Sequence, residues 1–275
     1  MELLQLTYKT SRISYIRFGS GPKLTFCFHG YGEDSTSFSF FEKYAGAYYT
    51  FFAMDLPYHG QTEWNDGLTC TTSDIIEIME RILHENNKPP ITGSQQFSLM
   101  GFSLGGRVAL SLYEEMPSQT EKIILLAPDG LKVNFWYWLA TQSRVGNKLF
   151  AFTMKHPAWF FGLLKSLNQF KLVNTSIFKF VNYYIGDENV RQLLYKRWTG
   201  LRKLKPDLKK VKSSIPRNKT QVRLIYGKHD RIILPVRGEK FIKGMEENCV
   251  LSVIHSGHQV LHEKHVQEIL PALLY

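Results

Sequence analysis

Short apolar runs alternate with helical patterns along most of this chain, and nearly every run ends in a turn that holds glycine or a reactive side chain. Leu3 to Tyr8 and Arg12 to Phe18 alternate or run apolar around a short polar turn, which predicts a strand hairpin. Lys23 to Phe28 predicts a third strand, closed by His29-Gly30-Tyr31-Gly32. Ser37 to Ala47 fits a short helix, and Thr50 to Met54 a strand closed by Asp55-Leu56-Pro57-Tyr58-His59-Gly60. Thr71 to Asn86 has the clearest helical period: Ile75, Ile76, Met79, Ile82 and Leu83 share a face, with Thr72 or Ser73 as cap. Phe97 to Phe102 is a buried strand that turns at Ser103 into a helix running from Leu104 to about Met116. Lys122 to Ala127 is a strand closed by Pro128-Asp129-Gly130, and Gln221 to Tyr226 one closed by Gly227-Lys228-His229-Asp230. A helix from Pro235 to Met245, a strand from Val250 to His255 and a last helix from about His262 complete the pattern.

Strands alternating with helices predict an α/β protein: a mostly parallel, eight-stranded sheet with helices on both faces. Such sheets bind ligands beyond the carboxyl ends of their strands. The loops there hold His29-Gly30-Tyr31, Asp55, Ser103, Asp129, Asp230 and His258, so reactive residue types gather at one edge. From 131 to 213 the rhythm breaks. That stretch is aromatic, basic and helical in tone, and reads as an inserted cap within a core of residues 1–130 and 214–275.

Composition sharpens the picture in two places. Cys27, Cys70 and Cys249 are odd in number and far apart, which argues against a disulfide framework or a cysteine zinc site and fits a reducing compartment. With no charged-then-apolar leader at the N-terminus and no apolar run near the roughly 18 residues of a membrane span, a cytoplasmic location is expected. The net charge of +10 is also uneven: Lys132 to Lys219 holds 18 Lys and Arg against 3 Asp and Glu. The basic residues cluster at Lys196-Arg197, Arg202-Lys203 and Lys209-Lys210. Among them stand Phe135-Trp136-Tyr137-Trp138, Trp159-Phe160-Phe161, Phe178, Phe180, Tyr183 and Tyr184. The plain reading is a helical cap with an aromatic interior and solvated lysine faces. Two sharper ones are an apolar pocket with a basic rim for amphiphilic, anionic acyl substrates, and peripheral contact with an anionic membrane. Nothing resembles a nucleic-acid module, and no nucleic-acid partner is expected.

The candidate chemistry centres on G-F-S-L-G at 101–105. A G-x-S-x-G between strand and helix places its serine on a sharp turn with the hydroxyl projecting outward. Glycines at 101 and 105 let strand and helix approach, and the helix starting at Leu104 aims free N–H groups at the site. With H-G-Y-G at 29–32, D-L-P-Y-H-G-Q-T at 55–62, G-F-S-L-G-G at 101–106, G-K-H-D at 227–230 and S-G-H at 256–258, nearly the whole chain resembles the α/β-hydrolase superfamily. Order and spacing agree, including a cap after the sixth strand. Tyr58 stands where that family often has Gly, and Thr62 where it often has Ser.

The resemblance implies a nucleophile at Ser103, a base at His258 and an acid at Asp230, in the chain order Ser, Asp, His. A serine hydroxyl is inert near neutral pH without an adjacent base, and the acid fixes the tautomer of that base. Asp129 competes for the acid's role, because some relatives place theirs after the sixth strand; Asp55 falls too early and is expected to fix a loop. The oxyanion hole would use the backbone N–H groups of Tyr31 and Leu104, with His29 bracing the loop. His255, His258, His262 and His265 are closely spaced, but a change from strand to loop to helix should turn their rings apart, so neither metal nor cofactor is expected.

Ser103 excludes the aspartate-nucleophile branches of the superfamily. The implied function is a serine hydrolase, most simply of carboxylic esters, acting through an acyl-enzyme on a small-molecule acyl substrate. The elbow G-F-S-L-G-G-R-V-A-L is also similar to that of the menaquinone-pathway lyase that forms SHCHC, in which the arginine matching Arg107 serves an anionic substrate; Phe102 here replaces that enzyme's tyrosine. The alternatives are therefore such a lyase, with Arg107 and Phe102 as substrate-binding residues, or a non-catalytic ligand-binding protein on the same fold.

Overall fold

In the computed structural model, which describes residues 2–92, 95–132, 134–169 and 185–275, eight strands form one sheet. They are β1 (Glu2–Tyr8), β2 (Ser11–Phe18), β3 (Lys23–Phe28), β4 (Tyr49–Met54), β5 (Phe97–Phe102), β6 (Thr120–Leu126), β7 (Gln221–Gly227) and β8 (Cys249–Ile254). Their order is β1-β2-β4-β3-β5-β6-β7-β8. β2 runs antiparallel to both β1 and β4, and every other neighbouring pair is parallel. All six residues of β4 and of β5 are buried, as central strands covered on both faces require. At the far edge, β8 leaves Val250 and Val253 exposed. The expected α/β architecture is present, and the strands fall within a few residues of their predicted places.

Two helical expectations need correction. Ser37 to Ala47 is not one helix but a 3-10 turn, Ser35–Phe38, followed by the short helix α1, Phe41–Ala45. Asp34 caps the turn by accepting from the Thr36 N–H, and the serines around it favour such local bonds over helix continuation. Helix α2, Thr72–Glu85, is capped by Thr71, one residue before the expected caps. Only Thr71 has an acid three residues on: the Asp74 N–H donates to its hydroxyl, and Asp74 accepts from the Thr71 N–H at 2.8 Å. Helix α3, Leu104–Glu115, is enclosed, with every residue from Leu104 to Tyr113 buried.

The chain divides into two compact units. The first comprises Met1–Asp66, Thr71–Lys132 and Leu204–Tyr275, and carries the sheet. The second comprises Gly67–Cys70 and Val133–Lys203. The expected insertion, 131 to 213, thus ends ten residues early, at Lys203. The helix Leu208–Asn218 belongs to the first unit, because Val211 and Ile215 are buried there. Glu114 at the end of α3 also accepts from the Asp207 N–H at 2.7 Å and from Lys210 Nζ at 3.1 Å. The Lys209-Lys210 cluster is therefore part of the core unit.

The described residues of the second unit hold α4 (Phe135–Gln142), α5 (Arg144–Lys155), α6 (Ala158–Gln169) and α7 (Glu188–Gly200). Trp198 of α7 holds the rings of Tyr137 and Phe150, at 5.3 and 5.7 Å between centroids. Phe178, Phe180, Tyr183 and Tyr184 lie outside the described residues.

Candidate active site

β5 and α3 meet at Ser103, whose φ of 49° and ψ of −113° are strained values for a residue with a side chain. The turn needs its glycines. A Cβ on Gly101 would lie 2.3 Å from the Gly105 carbonyl oxygen, and one on Gly105 would lie 1.8 Å from that of Phe28. Both backbone groups of Ser103 are occupied: its N–H donates to Leu126 O at 2.9 Å, and its carbonyl accepts from Gly106 and Asp129 N–H at 2.9 and 2.8 Å. The strain is held by these bonds, and the hydroxyl is left to make the outward contact.

That contact is His258, whose Nε2 lies 3.0 Å from Ser103 Oγ. Nδ1 of the same ring lies 2.7 Å from Asp230 Oδ2. The Asp230 side chain is fully buried, and its Oδ1 accepts from the N–H groups of Ile232 and Ile233 at 2.7 and 2.9 Å. A carboxylate only accepts, so Nδ1 carries the imidazole proton and Nε2 turns its lone pair to the serine hydroxyl. This is the geometry in which an imidazole can take a serine proton while a buried carboxylate offsets the charge that forms.

Sequence reasoning missed how the loops are tied together. The Lys228 N–H donates to Ile254 O at 2.8 Å and the His229 N–H to Ser256 O at 2.9 Å, zipping the Asp230 loop to the His258 loop. His229 and His255 add a side-chain bond, Nε2 to Nε2 at 3.0 Å. Glu33 joins the His258 loop to the loop after β3: its Oε2 accepts from the Gly30 N–H at 3.3 Å and its Oε1 from Gln259 Nε2 at 2.8 Å. An acid three residues beyond the loop glycine was the one available signal.

The remaining candidates fall as follows. A Cβ on Gly30 would lie 2.9 Å from the Phe102 ring, so the loop carrying Tyr31 packs on the residue before Ser103. Leu104 is the first residue of α3, and its N–H has no acceptor within the helix. Phe102 lies against the His258 ring, 5.4 Å between centroids. His29 accepts from the Leu56 N–H at 3.0 Å, which puts its ring proton on Nδ1, 2.8 Å from the Gly30 carbonyl. Asp55 accepts from the N–H groups of Ser35 and Gln61 at 2.7 and 2.8 Å, and so fixes two loops. Tyr58, where the superfamily often has glycine, has a φ of 65°.

Asp129 is engaged elsewhere: its carboxylate takes the Gly130 N–H at 2.8 Å and lies 3.6 Å from Arg107 Nε. Arg107 is buried beside it. The four closely spaced C-terminal histidines part company. His255 meets His229, His258 meets Ser103 and Asp230, His262 accepts from the Lys264 N–H at 3.1 Å, and His265 is buried.

The sheet and the site on its carboxyl edge define an α/β-hydrolase. A family model described as serine aminopeptidase, S33, matches residues 22–265, and the chain belongs to that family. Over 138 residues the chain is 30% identical to the dihydrolipoyllysine-residue acetyltransferase component of the acetoin cleaving system of Cupriavidus necator, a match that takes in 48% of this chain and 35% of that protein. The match therefore spans about a third of that relative's length. Among solved structures, a thermophilic esterase from Thermogutta terrifontis aligns with a TM-score of 0.66 and 16% identity, over 99% of this chain and 98% of the other. A carboxylesterase structure from Nitrososphaera gargenis aligns with a TM-score of 0.65 and 17% identity, over 99% and 97%. At these identities the likeness is one of fold.

Proposed function

We propose that this member of the α/β-hydrolases is a serine hydrolase of carboxylic esters. The observation that carries the reading is the continuous chain from Ser103 Oγ through His258 to buried Asp230, at 3.0 and 2.7 Å. Ser103 attacks the acyl carbon while its proton passes to His258 Nε2. The oxyanion so formed is received by the backbone N–H groups of Leu104 and Tyr31. The ester C–O bond then breaks, His258 gives the proton to the departing alkoxide so that it leaves as the alcohol, and the acyl group stays on Ser103 Oγ. Water gives a proton to His258 Nε2 and attacks that ester; the acyl–Oγ bond breaks, His258 returns the proton to Oγ, and the acid leaves with the Ser103 hydroxyl restored. Each step draws on groups of the chain itself.

The esterases among the structures of like fold support ester chemistry, and the basic, aromatic composition of residues 132–219 supports an amphiphilic acyl substrate that carries negative charge. A lyase reading would lean on Arg107 to hold an anionic substrate. That guanidinium is buried and sits beside Asp129, which keeps the weight on hydrolysis. Three free, buried cysteines support a reducing compartment, and we place the protein in the cytoplasm.

The test is kcat/KM across p-nitrophenyl esters from acetyl to long acyl chains, with Ser103→Ala as control. Activity that disappears in the variant supports the reading, and a rise with chain length places an apolar acyl pocket at the site. Activity no higher than that of Ser103→Ala on every ester overturns it, and small dicarboxylates then become the substrates to try.

A further inference from the structure

Helix α5 carries apolar side chains on its solvent side as well as on its packed side. Its inward side buries Thr153 and Met154. Its solvent stripe carries Val145, Leu149 and Phe152, at 79%, 52% and 52% exposure, a spacing of i, i+4 and i+7. A helix of a globular protein puts polar residues on that stripe. Here the polar members are lysines, the exposed Lys148 and Lys155. The helix before it repeats the feature with Phe135 and Trp136, 62% and 71% exposed, and the helix after it with Trp159 and Leu163. Single exposed apolar residues are ordinary, whereas a row of them on three successive helices marks an interaction surface.

The charges say what kind of surface it meets. From 130 to 186 the chain has no Asp or Glu, while Lys132, Arg144, Lys148, Lys155 and Lys165 fall within the described helices or beside them. The partner is therefore anionic, and it must also accept large aromatic and aliphatic groups beside its charges. A phosphate-bearing lipid surface offers both, one layer above the other: aromatic rings favour the boundary between headgroups and acyl chains, and lysines extend their stems along it to reach phosphates. No described helix is long and apolar enough to cross a membrane. We propose that α4 and α5 dock this protein flat on a membrane containing anionic lipid. Trp136, Val145, Leu149 and Phe152 enter the interface, and Lys148 and Lys155 pair with headgroup phosphates. The proposal is independent of the chemistry at Ser103, and its test reads binding alone.

The experiment is co-sedimentation of the full chain with vesicles of phosphatidylcholine alone and of phosphatidylcholine mixed with phosphatidylglycerol. The variants are Leu149→Ser/Phe152→Ser and Lys148→Gln/Lys155→Gln, whose residues are exposed and whose thermal unfolding should match the parent. Expected is binding to the mixed vesicles that weakens with salt, falls about fivefold for each lysine neutralised, and falls further in the apolar double variant. Absence of binding to the mixed vesicles, or variants that bind like the parent, overturns the proposal. So does concentration-dependent self-association, without vesicle binding, that the apolar double variant abolishes, because the face would then belong to a second copy.

Discussion

Gly227 and Gly257 are packed backbone to backbone: a Cβ on Gly227 would lie 1.9 Å from the Gly257 carbonyl oxygen. Asp230 follows the first glycine by three residues and His258 follows the second directly, so this approach sets the span that the imidazole bridges. Gly227→Ala should push the two loops apart. Displacing a reacting group by about 1 Å costs roughly a hundredfold in rate. The expected outcome is a fall of that order in kcat with KM little changed; a variant that folds and turns over at the parental rate contradicts it.

Asp230→Asn keeps the shape but offers His258 a group that can donate as well as accept. The ring then populates the tautomer whose Nε2 carries the proton, and Ser103 loses its base. A fall in kcat of roughly four orders of magnitude is expected. The matching change at Asp129, which accepts from Gly130 and lies beside Arg107 instead, should have a far smaller effect on the same ester.

Glu33 is a positioning residue that spans the Tyr31 loop and the His258 loop. Glu33→Ala removes both bonds and should lower kcat about tenfold with little change in KM, in line with net values of roughly 1.5 kcal/mol for a bond to a charged group. Glu33→Gln keeps an acceptor for one of the two and should recover part of the loss. Equal falls in both variants, or a change confined to KM, would show that the span does not serve the chemistry.

Much of this arrangement is legible in the residues, because a parallel sheet forces strand ends into register. Ser103 follows its apolar run directly, and Asp230 and His258 come within four residues of theirs, so finding the runs finds the edge at which they meet. What escapes is set by contacts distant in sequence. The helix Leu208–Asn218 shows only Val211 and Ile215 as buried members and carries Pro216, so its period is faint among lysines, and it is the burial of those two, with the bonds of Asp207 and Lys210 to Glu114, that ties it to the core unit. Glu33 reads as an ordinary loop acid until Gln259, 226 residues on, is placed beside it. Lys122 opens the strand that the sequence predicts, as a surface residue would, yet it is the third residue of β6 and 5% exposed.

Lys122 makes a prediction about pH. Its ammonium donates to Leu273 O at 2.8 Å, an acceptor it shares with the Tyr49 hydroxyl at 2.7 Å. Burial, with repulsion from Arg223 and Lys23, pushes its pKa down to about 8 from 10.5. Below about 8 the folded chain bears the full cost of the buried charge. Between there and 10.5 the unfolded state binds more protons, so this residue makes stability rise with pH. Lys122→Met removes the charge and leaves Leu273 O its bond from Tyr49. In urea unfolding, the stability of the variant relative to the parent should decline as pH rises from about 7 to about 10. A difference independent of pH would contradict the assignment.

The central claim is that His258 activates Ser103 as a nucleophile, and covalent labelling by a fluorophosphonate tests it without knowledge of the substrate. Phosphorus bonds to Oγ, fluoride departs and the serine proton passes to His258. The account predicts one adduct per chain by intact mass, located on Ser103 by peptide mapping, forming far more slowly in His258→Ala. Labelling elsewhere, or at an equal rate in His258→Ala, would contradict it.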